Sequence, residues 1–194
     1  LASLPVDAFM DRDNYLRGVE TSEAFLALAA SRGWMTVLAN EPIWFMINDI
    51  LKHYFSPEDA VRILIFIPAF IVPFTILRNN NKHAIWLTFF LLAPQVMKNH
   101  VIHLRQGFGL SVFLIGYYSK PKWLRVSVMG ASGFIHASFL IINAVGIAVE
   151  VAKTIRFSPG LRMAIFVISF PIIGILLHSI AGALGARQGG EYGI

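Results

Sequence analysis

The stretch His103-Leu104-Arg105-Gln106-Gly107 is a polar knot set between two apolar runs, residues 84–97 and 108–118. A guanidinium cannot lose its proton and is costly to hold in hydrocarbon, so its place there points to a task other than packing. At about 1.5 Å per residue, each run reaches roughly 21 Å or less, against a hydrocarbon core about 30 Å thick. The runs are therefore expected to form broken or tilted helices that meet in a polar, water-accessible cavity, where exposed backbone finds partners.

The rest of the chain agrees with that solvent. Of 194 residues, 56% are hydrophobic and 14% charged, and the mean hydropathy is +0.65. These values lie outside the range of an ordinary water-soluble domain and predict an all-α, polytopic integral membrane protein. With no cysteine, disulfides, thiolate metal sites and a Cys nucleophile are excluded. The chain opens at Leu1 on a polar segment without a signal-peptide pattern, and is expected to be a piece of a longer transmembrane bundle.

Charge is divided sharply along the sequence. Nine of the eleven acidic residues lie in the first 59 positions, whereas residues 60–194 carry twelve Lys/Arg against Glu150 and Glu191. Residues 1–59 read as an acidic extracytoplasmic segment with amphipathic helices, and 60–194 as a transmembrane helical domain. The basic excess belongs to loops and membrane surfaces, and no nucleic-acid partner is expected.

About six apolar segments follow: 62–77, 84–97, 108–118, 126–149, 153–162 and 163–183. Three basic clusters punctuate them, Arg78/Lys82, Lys120/Lys122/Arg125 and Lys153/Arg156/Arg162. The positive-inside rule places all three in the cytoplasm. The chain must then turn back on the far side near residues 98–106, and again inside 126–149, most naturally near residues 133–138. The alternative is one long tilted helix through His136. With the turn, His136 lies eleven residues after Arg125, roughly 16 Å up by helical rise. Arg105 and His136 then share the outer half of the membrane.

Glu41-Pro42-Ile43-Trp44 reads as a helix start, with an acidic residue before a proline at the first turn. Ile43, Ile47, Ile50/Leu51 and Tyr54 recur at helical spacing, predicting an amphipathic helix on the outer membrane face or folded over the cavity. Residues 23–38 are a second such candidate. Pro68, Pro73, Pro94 and Pro171 inside apolar runs predict kinks. No phosphate-cradling GK[ST] loop and no H-E-x-x-H occurs, and Asp11-Arg12-Asp13 lacks a nucleotide-binding domain around it.

The order of Asp11-Arg-Asp13-Asn-Tyr15-Leu16, Glu41-Pro42, Arg105-Gln106-Gly107, a Lys-rich turn and Phe134-Ile-His136-Ala-Ser138 resembles the EpsG-like family of Wzy-type polysaccharide polymerases. The resemblance runs over about residues 11–192. It implies a multi-pass glycosyltransferase of the bacterial inner membrane for exopolysaccharide or O-antigen biosynthesis. Its substrates would be undecaprenyl-pyrophosphate-linked oligosaccharides, its surroundings the lipid bilayer, and its partners other polysaccharide export or assembly proteins. No cofactor and no metal is implied. Two further readings stay open, a transporter or flippase of lipid-linked or other anionic substrates and a non-catalytic subunit of an assembly complex.

Within that expectation Arg105 and His136 are the catalytic candidates. Arg105 can grip two phosphate oxygens and stabilise the charge that builds on a diphosphate leaving group; its plain alternative is snorkelling or pairing with an acid of the outer segment. His136 offers an imidazole, a side chain that can accept a hydroxyl proton without carrying a permanent charge; its plain alternative is a neutral imidazole bonded to a nearby carbonyl or to Ser138. Substrate-binding candidates are Gln106 as an added donor and Lys98, His100 and His103 as a cationic lip. Arg62 and Arg187 are candidates to complete a diphosphate clamp, and Asp11, Asp13 and Glu41 to act as base or hold sugar hydroxyls. Tyr15 is a candidate for stacking on a sugar ring, and Ser138 for a local hydrogen bond. His100 and His103 lack a nearby carboxylate, so their spacing is weak evidence for a metal.

Overall fold

The computed structural model describes residues 10–154 and scattered positions between 158 and 179. The last expected apolar segment, 163–183, and the third basic cluster fall largely or wholly outside the described residues, as does Arg187. Among the described residues every regular element is helical, in agreement with the all-α expectation.

The helices are α1 (Met10–Glu20), α2 (Ser22–Ser31), α3 (Trp34–Ala39), α4 (Pro42–Tyr54), α5 (Pro57–Asn79), α6 (Ala84–Leu91), α7 (Pro94–Val101), α8 (Leu104–Tyr118), α9 (Lys122–Gly133) and α10 (Ser138–Thr154), with a 3-10 turn at Asn81–His83 before α6. Helix α8 packs between α5 and α9, and α1 to α4 gather over the end of the bundle where α5 and α8 begin.

Local chemistry sets most of the boundaries. Helix α5 begins five residues before the expected apolar run because Ser56 caps it: its Oγ accepts from the Asp59 N–H at 3.2 Å, and Pro57 occupies the first turn. The apolar run 84–97 is split in two, since Pro94 forbids its predecessor a helical conformation and starts α7 anew. Residues 23–38 likewise form two helices, parted at Gly33, whose φ of +110° suits glycine alone.

Helix α5 has two apolar faces. Ala60, Val61, Leu64, Ile65, Pro68 and Val72 are buried at helical spacing, while Phe66, Phe70 and Phe74 stack along the outward side with ring centroids 6.1 and 5.6 Å apart. Among the described residues α5 is the one helix long and apolar enough to cross a membrane. Helices α6 to α10 are shorter than the roughly 20 residues a spanning helix needs.

The interval 126–149 is two helices, not one. Helix α9 stops at Gly133 and α10 starts at Ser138. The pair runs back on itself, with Asn143 Nδ2 donating to the Met129 carbonyl at 2.7 Å and Leu140 lying against Gly133. Gly116 plays the same part between α8 and α9, since a Cβ there would stand 2.7 Å from the Met129 backbone nitrogen.

The C-terminal ends of α5 and α8 are joined by Asn80 Nδ2 donating to the Tyr118 hydroxyl at 2.9 Å. Two basic clusters, Arg78/Lys82 and Lys120/Lys122/Arg125, therefore lie at one end of the bundle. The opposite end holds the core of Val19, Trp44, Phe45, Ala60, Val61, Leu64, Ile65, Leu104 and Ile135.

Helix α4 is rotated from its expected placement. Trp44, Phe45 and Asn48 are its buried residues, Ile43, Ile47 and Leu51 pack at the margin of the core, and Ile50 and Tyr54 are exposed. The aromatic pair takes the inner face because it removes the larger area from water, with Phe45 stacked on Phe25 at 4.2 Å.

Candidate functional site: a buried carboxylate clasp

The site draws on the middle of one helix and on three places where helices start or break. Helix α1 supplies Tyr15, the α3–α4 junction Glu41, the first turn of α8 Arg105, and the α9–α10 break His136 and Ala137. The two loops are stitched by the Ile43 N–H donating to the Phe134 carbonyl at 3.1 Å.

Glu41 is the centre of the site. It occupies the N-cap position of α4 without capping it, in the left-handed region at φ 54°, ψ 52°. An L-residue other than Asn or Asp rarely rests there, and the cost is of order 1–3 kcal/mol, so neighbouring contacts must hold it. Its side chain, 7% exposed, turns away from α4. Oε2 accepts from Arg105 Nη1 at 2.8 Å, and Oε1 accepts from His136 Nδ1 at 2.9 Å and from the Ala137 N–H at 3.1 Å.

Burial alone would push the Glu41 carboxyl up. The hydrogen bond from His136, the charges of Arg105 and His136 and the Ala137 N–H outweigh it, and together hold the carboxyl below its ordinary value. Glu41 is thus an anion, and a buried anion of this kind is sustained by charge-assisted hydrogen bonds on both oxygens.

Tyr15 braces the same assembly. Its hydroxyl oxygen accepts from the Leu104 N–H at 3.0 Å, caps the start of α8 where the His103 side chain does not, and bonds the Arg105 side chain. Its ring packs edge-on against Trp44, which in turn meets Phe108. Arg105 and His136 keep 23% and 20% of their side-chain surfaces exposed. The carboxylate therefore lies behind two cations or donors that still reach solvent.

The structure brings Arg105, His136, Glu41 and Tyr15 together and leaves other candidates apart. The plain reading of Arg105, a pair with an outer acidic residue, is realised through Glu41. The partner of His136 is that same carboxylate, while Ser138 is simply the half-buried first residue of α10. Tyr15, expected to stack on a sugar, is instead engaged with Trp44 and the start of α8. Gln106 and His103 adjoin Arg105 and are half-buried.

Arg62 stands near the start of α5. It is bound to Asp59 at 2.9 Å and Glu58 at 3.9 Å, acids within one turn of it on α5 that reach it before any distant group. Lys98 is exposed on α7, and Asp13 is exposed on α1. The side chains of His100 and Asp11 lie outside the described residues. Among the described residues no group of His, Asp and Glu is arranged to hold a metal. Sequence reading missed the Ala137 N–H, since a backbone donor at a helix break carries no residue signature.

No family model, no curated protein and no solved structure matches this chain.

Proposed function

We propose that this chain belongs to a polytopic membrane glycosyltransferase of the polysaccharide-polymerase kind, joining undecaprenyl-pyrophosphate-linked oligosaccharides at the outer face of the bacterial inner membrane. Its resemblance to the EpsG-like group first motivated the reading. The observation that carries it is the Glu41–His136 hydrogen bond beside the Glu41–Arg105 ion pair.

A carboxylate bonded to Nδ1 holds the proton on that nitrogen and leaves Nε2 as the basic one. His136 then takes the proton from an acceptor sugar hydroxyl. The hydroxyl oxygen attacks the anomeric carbon of the donor, the bond from that carbon to the diphosphate oxygen breaks, and the polyprenyl diphosphate leaves with the bonding pair. Guanidinium N–H groups of Arg105 not engaged by Glu41 stabilise the charge growing on that diphosphate. Glu41 touches neither substrate; it positions both residues and balances the imidazolium as it forms. Transfer needs an oriented base and a cation side by side, and Glu41 holds His136 and Arg105 together in that arrangement.

The membrane reading rests on composition, on α5 and on the outward Phe66/Phe70/Phe74 face. The shorter helices α6 to α10 would cross as broken pairs. Their exposed backbone ends would meet partners such as Glu41 rather than lipid.

The test is a polymerisation assay of the intact protein in liposomes with undecaprenyl-pyrophosphate-linked repeat units, comparing wild type with Arg105→Ala and His136→Ala. A ladder of longer glycans lost in both variants supports the polymerase. Movement of lipid-linked units across the bilayer without elongation overturns it in favour of a transporter.

A further inference from the structure

The end of the bundle opposite Glu41 carries a surface that the proposed reaction does not use. The Asn80–Tyr118 hydrogen bond sets the loop after α5 beside the loop after α8. It gathers Arg78, Lys82, Lys120, Lys122 and Arg125, all exposed. No Asp or Glu falls between Asp59 and Glu150 to neutralise them. Arg78 is held over the Phe74 ring at 5.7 Å, and Arg125 is fixed by donating from Nε and Nη2 to the Ser119 carbonyl at 3.3 and 3.1 Å.

Two indoles flank the cations. Trp86 stands in the first turn of α6 and Trp123 in the first turn of α9, 76% and 70% exposed. Beyond them the surface turns apolar, with Phe70 and Phe74 on α5, Phe89 and Phe90 on α6 and Val126 on α9 exposed. From Lys82 through Trp86 to Phe89 and Phe90 the order is cation, indole, then hydrocarbon-like side chains. That is the sequence of layers met on passing from phosphate headgroups through the interface into acyl chains.

We infer that this end is a headgroup site for anionic phospholipids of the cytoplasmic leaflet, in which Lys120, Lys122 and Arg125 meet lipid phosphates while Trp86 and Trp123 lie at the interface. The inference rests on the membrane reading above and is independent of the chemistry at Glu41. Because α8 spans about 21 Å by helical rise, anchoring its C-terminal end to the inner phosphates fixes the depth of Arg105 in the outer half of the bilayer.

The chain has no cysteine, so Asn81→Cys in the exposed turn before α6 gives one labelling site within it. The intact protein carrying an environment-sensitive fluorophore there is reconstituted in phosphatidylcholine bilayers. These contain equal mole fractions of nitroxide-labelled phosphatidylglycerol or nitroxide-labelled phosphatidylcholine. The expected result is quenching about threefold or more stronger by the anionic lipid, shrinking in high salt and disappearing in Lys120→Gln/Lys122→Gln/Arg125→Gln. Equal quenching by both lipids overturns the headgroup site and leaves the membrane reading standing. No quenching by either lipid overturns the membrane reading as well.

Discussion

The carboxylate of Glu41 and the imidazole of His136 are 95 positions apart in the chain and 2.9 Å apart in space, and the same carboxylate reaches Arg105 at 2.8 Å. One side chain from the acidic N-terminal segment therefore pairs with two polar groups of the acid-free stretch 60–149. Docking of α1–α4 on the bundle and assembly of the site are a single event.

Removing that carboxylate is expected to separate position from charge. Glu41→Ala leaves a largely buried guanidinium without its partner and should cost about 3 kcal/mol of stability, read by thermal unfolding in detergent. Glu41→Gln keeps the volume but can offer His136 Nδ1 an N–H instead of an acceptor. It should fold and still lose roughly 10²-fold in rate, with an altered pH profile of glycan elongation. An unchanged profile would remove Glu41 from the positioning role.

Arg105→Lys should insert normally and lose most activity. Lysine keeps the charge and can still pair with Glu41, but it lacks the planar fork that would serve Glu41 and a diphosphate at once. Near-normal polymer length in that variant would end the role given to Arg105.

Acid should undo the clasp in a defined direction. The Glu41 carboxyl is held below its ordinary value of 4.5, so the folded state binds this proton less readily than the unfolded chain. Its contribution is complete above about pH 4.5 and declines as pH falls through the depressed folded value, below which it is gone. Unfolding temperature of the wild type in detergent should drop across that window more steeply than that of Glu41→Gln, which has no proton to gain there.

Tyr15→Phe keeps the ring against Trp44 and deletes the oxygen that caps α8. Leaving the Leu104 N–H without that acceptor should destabilise by about 1–3 kcal/mol, measured by unfolding. Hydrogen exchange should rise first in the opening turn of α8.

Gly116→Leu should fail for a reason remote from the site. With the Met129 backbone nitrogen 2.7 Å from the place of a Cβ, any side chain forces α8 from α9, an overpacking cost of about 1–3 kcal/mol or more. Reduced yield of folded protein with an undisturbed Asn80–Tyr118 end would show that the separation is local.

Several of these features were visible in the residues themselves. Glu41-Pro42 marks a helix start and the hydropathy of residues 60–149 announces apolar helices, whereas Pro94 reads as a kink and residues 23–38 as one helix until the structure shows a break at Pro94 and another at Gly33. The polar knot at Arg105 and the Phe134-Ile-His136-Ala-Ser138 break were recognisable because polar groups in apolar runs need a reason. The pairing of Arg62 with Glu58 and Asp59 was open to the same reading, since acids three and four residues away share its helix face.

The sequence by itself determined the helical class, the break near residues 133–138 and the separation of acidic and basic regions, because those follow from propensity, hydrophobic spacing and charge within short stretches. The tertiary structure alone decided that Glu41, one acid among nine in its segment, is the partner of both Arg105 and His136, and which face of α4 is buried. Those outcomes depend on which helices pack together and at what rotation. A carboxylate before a proline looks the same in sequence whether it faces water or closes a clasp.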